Sequence, residues 1–195
     1  MGSKENGWEI MSRDLHFQND HLSVATEVIR TPARPEPRKW TVVHRKKAVV
    51  IAPMTAKGEI VLIRQERLPI GAAIWEVPAG QIDAAGDQNS AAIEAIALRE
   101  LREESGFELS KGGELISLGN YFTSPGFTDE RGYLFLARPV QPSPDGHSHD
   151  GSESILDCQA FSPRDLLKMI DQNEIRDANT LSICARLMAR GILKN

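Results

Sequence analysis

The chain has 195 residues, of which 41% are hydrophobic and 26% charged, as is typical of a globular protein that buries a core. Its net charge of −4 and the lack of a basic block argue against a nucleic-acid partner, because phosphate binding requires clustered Lys and Arg. No apolar run approaches the about eighteen residues of a membrane span, so no membrane partner is expected either.

The N-terminal part of the chain reads as a small β structure. Short alternating stretches over residues 8–30, with a turn-prone QNDH between them, predict an antiparallel hairpin or meander. Three prolines in the eight residues Thr31–Arg38 predict an extended connector. These features predict an N-terminal antiparallel β appendage over residues 1–38 and a main domain over residues 39–195.

The main domain combines strands with inserted and terminal helices. Two β-branched runs, WTVVHRKKAVVIAPM and EIVLIRQER, predict strands, and IWEVPAGQID predicts a strand that breaks into a loop. A helix is expected over residues 91–105, capped by Asn89 or Ser90 and ended by Gly106. Two more strands, a polar loop over residues 141–154, a last strand and two helices complete a mixed α/β (α+β) sandwich.

The end of the predicted helix concentrates acidic side chains. Glu100 and Glu104 lie one turn apart on one face, with Glu103 beside them. Like charges at this spacing, near a helix C-terminus, destabilise the helix. Arg99 reaches Glu103 at i+4, which would leave Glu100 and Glu104 for a divalent cation. A solvated salt-bridge face and a metal site both remain open on this stretch alone.

The run RELREESGF resembles the second half of the Nudix box, the signature of hydrolases that cleave a nucleoside diphosphate linked to another group. PAGQID resembles the opening of that box, with Gly80 as its first glycine. Nineteen positions separate Gly80 from Arg99, where the family pattern has fourteen, so five residues are inserted near DAAGDQNSA. Asp87 or Glu94 would replace the early glutamate of the pattern.

Further segments resemble the ADP-ribose pyrophosphatase branch of that family. They are the strand EIVLIRQER, the turn WEVPAG, the loop YFTSPGFTDE and the tail from ESILDCQAF onward. The resemblance covers about residues 40–190. It implies a Nudix-type α/β/α sandwich with a mixed sheet, a dimerising N-terminal appendage and a homodimer. The two cysteines, Cys158 and Cys184, are expected to be free thiols in a reducing cytoplasm.

The resemblance also implies the catalytic groups. The carbonyl of Ala79 and the carboxylates of Glu100, Glu103 and Glu104 would bind Mg²⁺, with Mn²⁺ as a substitute. Arg99 and Glu103 would belong to the catalytic set. The general base of this branch comes from a mobile acidic loop, here residues 141–154. The candidates there share a carboxylate side chain: Glu153 first, then Asp145 and Asp150, unless all three only solubilise the loop.

Candidate substrate contacts are more widely spread. Arg67 is expected to grip a phosphate, or else to form a surface salt bridge. Glu76 is expected near the ribose, or as a buried structural carboxylate. Trp8 and Trp40 are candidates for stacking a nucleobase, although core packing is the commoner role of tryptophan. Pro125 belongs to the Ser-Pro-Gly loop of the branch. The pair His147 and His149 is expected to be solvated.

The implied activity is Mg²⁺-dependent hydrolysis of ADP-ribose to AMP and ribose 5-phosphate. A small nucleoside diphosphate molecule is therefore the expected partner. Hydrolysis of another nucleoside diphosphate sugar, such as GDP-mannose, is an alternative on the same scaffold. A non-catalytic ADP-ribose sensor is an alternative of another class, but a sensor would be expected to lose the carboxylates that this box retains.

Overall fold

The computed structural model describes residues 4, 5, 7–82, 89–144, 146 and 154–194. Within these residues the chain forms two β-sheets and three α-helices. The contacts between Cα atoms divide the chain into two compact units. The first unit contains residues 1–47 and 122–131, and the second contains residues 48–121 and 132–195.

The first unit is built on a four-stranded antiparallel sheet in the order β1-β2-β3-β4. Its strands are β1 (Lys4–Glu5), β2 (Trp8–Gln18), β3 (Leu22–Thr31) and β4 (Arg34–Arg45). The predicted hairpin over residues 8–30 is therefore present. The proline-rich stretch differs from the prediction, because after a turn at residues 32 and 33 it pairs with β3 as part of β4. Residue 38, the predicted boundary, lies inside this strand.

The second unit contains a seven-stranded mixed sheet in the order β11-β6-β5-β10-β9, with β7 paired to β6 and β8 paired to β5. Strands β5 and β10 are parallel, whereas β6 is antiparallel to β5, β7 and β11. The strands are β5 (Ala48–Thr55), β6 (Ile60–Arg67), β7 (Ala72–Glu76), β8 (Ala79–Gln81), β9 (Phe107–Phe122), β10 (Arg131–Pro142) and β11 (Ile155–Phe161).

Helices cover both faces of this second sheet. They are α1 (Ser90–Ser105), α2 (Pro163–Asp171) and α3 (Ala178–Ala189). Alternate residues of β5 serve the two faces: Val49 packs in the core cluster of α1, and Val50 packs in the cluster of α2 and α3. The α/β/α sandwich with a mixed sheet is thereby confirmed.

Helix α1 begins and ends close to the predicted positions. The side chain of Asn89 accepts a hydrogen bond from the amide of Ala92, and Gly106 ends the helix in the left-handed region at φ 68°. Cys158 and Cys184 are free. Burial raises the pKa of Cys158 to about 11 and that of Cys184 to about 12, so both are unreactive structural thiols near neutral pH. None of the helices in the described residues has the length and apolar character needed to cross a membrane.

Candidate functional site

The C-terminal half of α1 lies against the turn that joins β7 to β8. Glu104 is 1% exposed, and its Oε2 accepts a hydrogen bond of 2.7 Å from the amide of Ala79. Glu100 is 6% exposed and packs on Gly80, where an added Cβ would lie 2.0 Å from the Glu100 Cδ. Only glycine allows this approach. Both carboxylates therefore lie beside Ala79 and Gly80 at the start of β8 and not on a solvated face.

Arg99 neutralises part of the acidic cluster. Its Nη2 lies 2.5 Å from Glu100 Oε1, and its Nη1 donates to Glu103 Oε2. The predicted pair of Arg99 with Glu103 is present. The expectation that this pair would leave Glu100 and Glu104 free is wrong, because Arg99 also contacts Glu100 and the amide of Ala79 donates to Glu104. The guanidinium is a fork wide enough to reach both the neighbouring carboxylate and the one a turn away.

The carboxylates of Glu100 and Glu104 suit a hard divalent cation whose coordination is completed by substrate oxygens. The described residues contain no cluster of three or more His, Cys, Asp or Glu side chains arranged to hold a metal ion. Mg²⁺ is commonly held by one or two carboxylates together with waters and substrate phosphates. Two buried carboxylates at a close-packed glycine turn provide such oxygen ligands, so Glu100 and Glu104 fit the ion.

Arg67 and Glu76 form a pair across strands β6 and β7. The Arg67 Nε donates to Glu76 Oε2 at 3.2 Å, and its Nη2 lies 2.6 Å from Oε1 in an ion-pair contact without hydrogen-bond alignment. Glu76 is 2% exposed, while the Arg67 side chain is 40% exposed. Burial raises the pKa of Glu76 to about 7, although the positive charge of Arg67 opposes this rise. The pair thus fixes a half-exposed guanidinium on a buried carboxylate.

The strand end after Glu76 is anchored to α3. The buried Thr180 hydroxyl accepts a 3.0 Å hydrogen bond from the amide of Val77 and donates to Asp177 at 2.7 Å. The carbonyl of Pro78 accepts from the amide of Ile51 at 2.9 Å. These bonds on either side of the turn hold the backbone at Ala79 in place.

A separate aromatic pocket of about 370 Å³ lies in the first unit. Trp8 and Trp40, each 55% exposed, line it together with Pro125 and Phe127. Neither tryptophan belongs to the core, which was the alternative role for both. The indole nitrogen of Trp40 donates to the carbonyl of Gly126 at 2.9 Å. The pocket offers flat apolar surfaces of the kind on which a nucleobase stacks.

Several predicted residues lie outside the described part of the chain. They are the loop carboxylates Glu153, Asp145 and Asp150, the histidines His147 and His149, and Asp87 of the insertion. Glu94, the other candidate for the early glutamate, is exposed on α1. The roles of the loop carboxylates therefore stay predictions.

Other residues near the carboxylate site and the aromatic pocket were not identified from the sequence. Thr180 gave no signal, because its partner Val77 lies 103 positions earlier in the chain. Phe127 could have been found, since it is two residues beyond Pro125 in a segment already singled out.

Comparisons with known proteins agree with this architecture. The profile of the NUDIX domain family matches residues 44–182. An ADP-ribose pyrophosphatase of Mycobacterium tuberculosis is 36% identical over 185 residues, covering 93% of this chain and 85% of that protein. An ADP-ribose pyrophosphatase of Bacillus subtilis is 32% identical over 170 residues, covering 87% and 86%.

One further relative and one solved structure are also similar to this chain. A methanol dehydrogenase activator of Bacillus methanolicus is 31% identical over 157 residues, covering 80% of each chain. A solved structure described as an ADP compounds hydrolase superposes with a TM-score of 0.74 at 17% identity, covering 97% of this chain and all of that one, and shares the fold. The family match over most of the chain and the two ADP-ribose pyrophosphatases above 30% identity give one conclusion: this chain belongs to the Nudix family and is a Nudix pyrophosphohydrolase.

Proposed function

We propose that the protein hydrolyses the pyrophosphate bond of ADP-ribose and releases AMP and ribose 5-phosphate. The observation that carries this proposal is the buried pair Glu100 and Glu104, which packs on Ala79 and Gly80 at the start of β8. The names of the two ADP-ribose pyrophosphatases support the choice of substrate.

The residues that would hold Mg²⁺, or Mn²⁺ in its place, are Glu100, Glu103, Glu104 and the carbonyl of Ala79. When bound, the ion supplies positive charge for the phosphate oxygens and a lower pKa for a coordinated water. Arg99 orients Glu100 and Glu103 through its two contacts and offsets their mutual repulsion when no cation is present.

Two other side chains act on the substrate in this proposal. Arg67, fixed by Glu76, binds a phosphate oxygen with the part of its guanidinium that faces solvent. Glu153 accepts a proton from the attacking water as the new oxygen–phosphorus bond forms. The bond between phosphorus and the bridging oxygen breaks, and that oxygen leaves as part of one of the two monophosphate products.

The remaining assignments concern the binding of the adenine base and the oligomeric state. Trp8, Trp40 and Pro125 bind the adenine, because the pocket they line offers flat apolar walls. The chain acts as a homodimer, as the family resemblance implies. Its two free thiols support a reducing compartment, and we place it in the cytoplasm. GDP-mannose or another nucleoside diphosphate sugar is the alternative substrate. A non-catalytic sensor is disfavoured because the carboxylates are retained and buried.

A substrate panel tests the activity. ADP-ribose, GDP-mannose, ADP-glucose and a diadenosine polyphosphate are assayed with and without Mg²⁺, and products are separated by chromatography. We expect ADP-ribose to give the highest kcat/KM and to require the ion. Preference for GDP-mannose would establish the alternative, and binding of ADP-ribose without turnover would establish the sensor.

Glu104→Gln tests the metal assignment. The amide oxygen of Gln still accepts from the amide of Ala79, so the fold is kept, while the lost charge lowers Mg²⁺-dependent turnover by at least about a hundredfold. Glu174→Gln is the matched control, because Glu174 is an exposed glutamate outside α1 with no proposed role in the site. Near-normal rates in Glu104→Gln would refute the assignment.

A further inference from the structure

The loop of residues 122–131 lies along the edge of β4. The amide of Val43 donates to the carbonyl of Phe127 at 2.8 Å, and Val43 forms a bridge with Thr128. This loop supplies the Pro125 and Phe127 side of the aromatic pocket, while Trp40 on β4 supplies another side. The shape of the pocket therefore depends on how firmly the loop is held to β4.

His44 connects this loop to the sheet. Its Nδ1 lies 2.6 Å from Asp129 Oδ2, and its Nε2 lies 3.2 Å from Glu27 Oε1. The other carboxylate oxygen of Asp129 accepts from the amide of Arg45 at 3.0 Å. The two ring nitrogens thus face carboxylates on opposite sides of the imidazole. We call this set of Glu27, His44 and Asp129 the clamp.

The inner end of the clamp is buried. Glu27 is 3% exposed, and its Oε1 also contacts Arg13 Nη2 at 2.6 Å. His44 Nε2 is itself buried and lies close to Glu27 without a well-aligned hydrogen bond. Glu27 is thus held in place by Arg13 and lies beside His44 Nε2 at the buried end of the clamp.

We propose that His44 is a positioning residue that acts through Asp129 to hold the 122–131 loop as a wall of the aromatic pocket, and so sets its affinity for the base of a nucleotide. The inference rests on the base-binding role proposed for the pocket. His44 does not line the pocket, so it acts on a bound base only through the loop. The chemical class of ligand is a nucleoside monophosphate unit with a flat base.

Three substitutions of His44 separate its two contacts. Phe keeps the ring and removes both nitrogens. Gln places its amide nitrogen near the position of Nε2, so it keeps the contact with Glu27 and loses the one with Asp129. Asn places its amide nitrogen near Nδ1, so it keeps the contact with Asp129.

The readout is affinity measured by calorimetry in EDTA, with AMP and with ribose 5-phosphate, which lacks a base. For His44→Phe and His44→Gln we expect the Kd of AMP to rise about tenfold, while that of ribose 5-phosphate changes less than about twofold. His44→Asn is expected to keep the Kd of AMP within about threefold of wild type. His16→Phe is the control, since this exposed histidine of the same sheet contacts Thr26 and not the loop.

Each other outcome decides against the proposal. Unchanged AMP affinity in His44→Gln would overturn it, and this variant keeps the partner of the buried Glu27 should His44→Phe fail to fold. An equal loss of affinity for both ligands would show general damage and would also overturn it. If the wild-type protein does not bind AMP, both the base-binding role of the pocket and the proposed role of His44 are refuted. The proposed hydrolysis of ADP-ribose is tested separately, by measuring Mg²⁺-dependent turnover.

Discussion

At the scale of single residues, Gly80 determines whether the acidic end of α1 can pack against the start of β8. The backbone at Gly80 contacts the side chain of Glu100 so closely that any Cβ would overlap with it. The glycine is therefore required by a close approach and not by its φ angle. The sequence pattern identified Gly80, but only the packing shows that its partner is Glu100.

Gly80→Ala is expected to lower the free energy of unfolding by about 1–3 kcal/mol, because the new methyl group must displace Glu100. Turnover should fall with it, since the displaced carboxylate is a proposed ligand. Chemical denaturation measures the first effect. The control removes the side chain of Glu100: in a Glu100→Ala background, Gly80→Ala should change the free energy of unfolding little. An equal loss in both backgrounds would contradict the proposed clash.

Glu153→Gln tests the proposed base. We expect turnover at saturating ADP-ribose to fall by about a hundredfold or more, because general acid–base catalysis contributes about 10²–10⁴-fold. The affinity for ADP-ribose in EDTA should change little, since Gln has nearly the same size. Asp150→Asn is the comparison within the same loop. A large loss of turnover in Asp150→Asn with normal Glu153→Gln would move the base to Asp150.

At the scale of elements, α3 secures the turn of the site through Thr180. The hydroxyl of Thr180 satisfies the amide of Val77, and Asp177, the N-cap of α3, accepts from the hydroxyl. A helix cap and the strand end of the site thus share one buried group. Because a buried amide without a partner is costly, this contact is expected to be a substantial part of the stability of the second unit.

Thr180→Val should lower the free energy of unfolding by about 1–3 kcal/mol, because it leaves the amide of Val77 unsatisfied while keeping the side-chain volume. Thr180→Ser keeps the hydroxyl and is the matched control, with a smaller loss from the missing methyl group. Denaturant titration of both variants gives the comparison. Little loss in Thr180→Val together with a large loss in Thr180→Ser would show that the methyl group, and not the hydrogen bond, matters at this position.

Most elements could be predicted from periodicity and capping residues. Helix α1 was one residue longer than predicted, because Ser90 joined it and Asn89 took the cap. The proline-rich stretch was harder, since prolines argue for a connector. A β4 edge strand tolerates them because it pairs with β3 on one side. Local signals could not show that β7 and β8 are separate strands on different partners.

At the scale of the whole molecule, the sequence predicted the sandwich and the acidic end of α1, but it carried no signal for the position of the loop 122–131. The loop 122–131 belongs with the first unit although it follows β9 of the second. Long-range pairing of this kind, such as Val43 with Phe127, leaves no periodic trace in the sequence. The site could be predicted where its residues share one helix. Contacts such as Arg67 with Glu76 needed the strand register.

The proposed homodimer gives the prediction at this scale. Strand β2 exposes large apolar side chains, among them Leu15 at 53% and Phe17 at 53%, as expected of a surface that a partner covers. Light scattering should give a mass of about 43 kDa, twice the 21.6 kDa of one chain. Leu15→Asp should shift the protein toward 21.6 kDa.

Leu156→Asp is the control for that experiment, since Leu156 is 54% exposed on β11 of the second unit. This variant should keep the mass of the wild type. A wild-type protein that runs as a monomer at micromolar concentration would contradict the dimer, and a dimer unaffected by Leu15→Asp would place its interface away from β2.

The pairing of the 122–131 loop with β4 also bears on aggregation. The bridge from Val43 to Thr128 occupies main-chain groups that an edge strand would otherwise offer to a strand of another molecule. At the opposite edge, β1 protects only the start of β2, and two shifts in the register between β2 and β3 make the rest of β2 irregular. Unwanted sheet extension is thus blocked on one side by a loop and discouraged on the other by a distorted ladder.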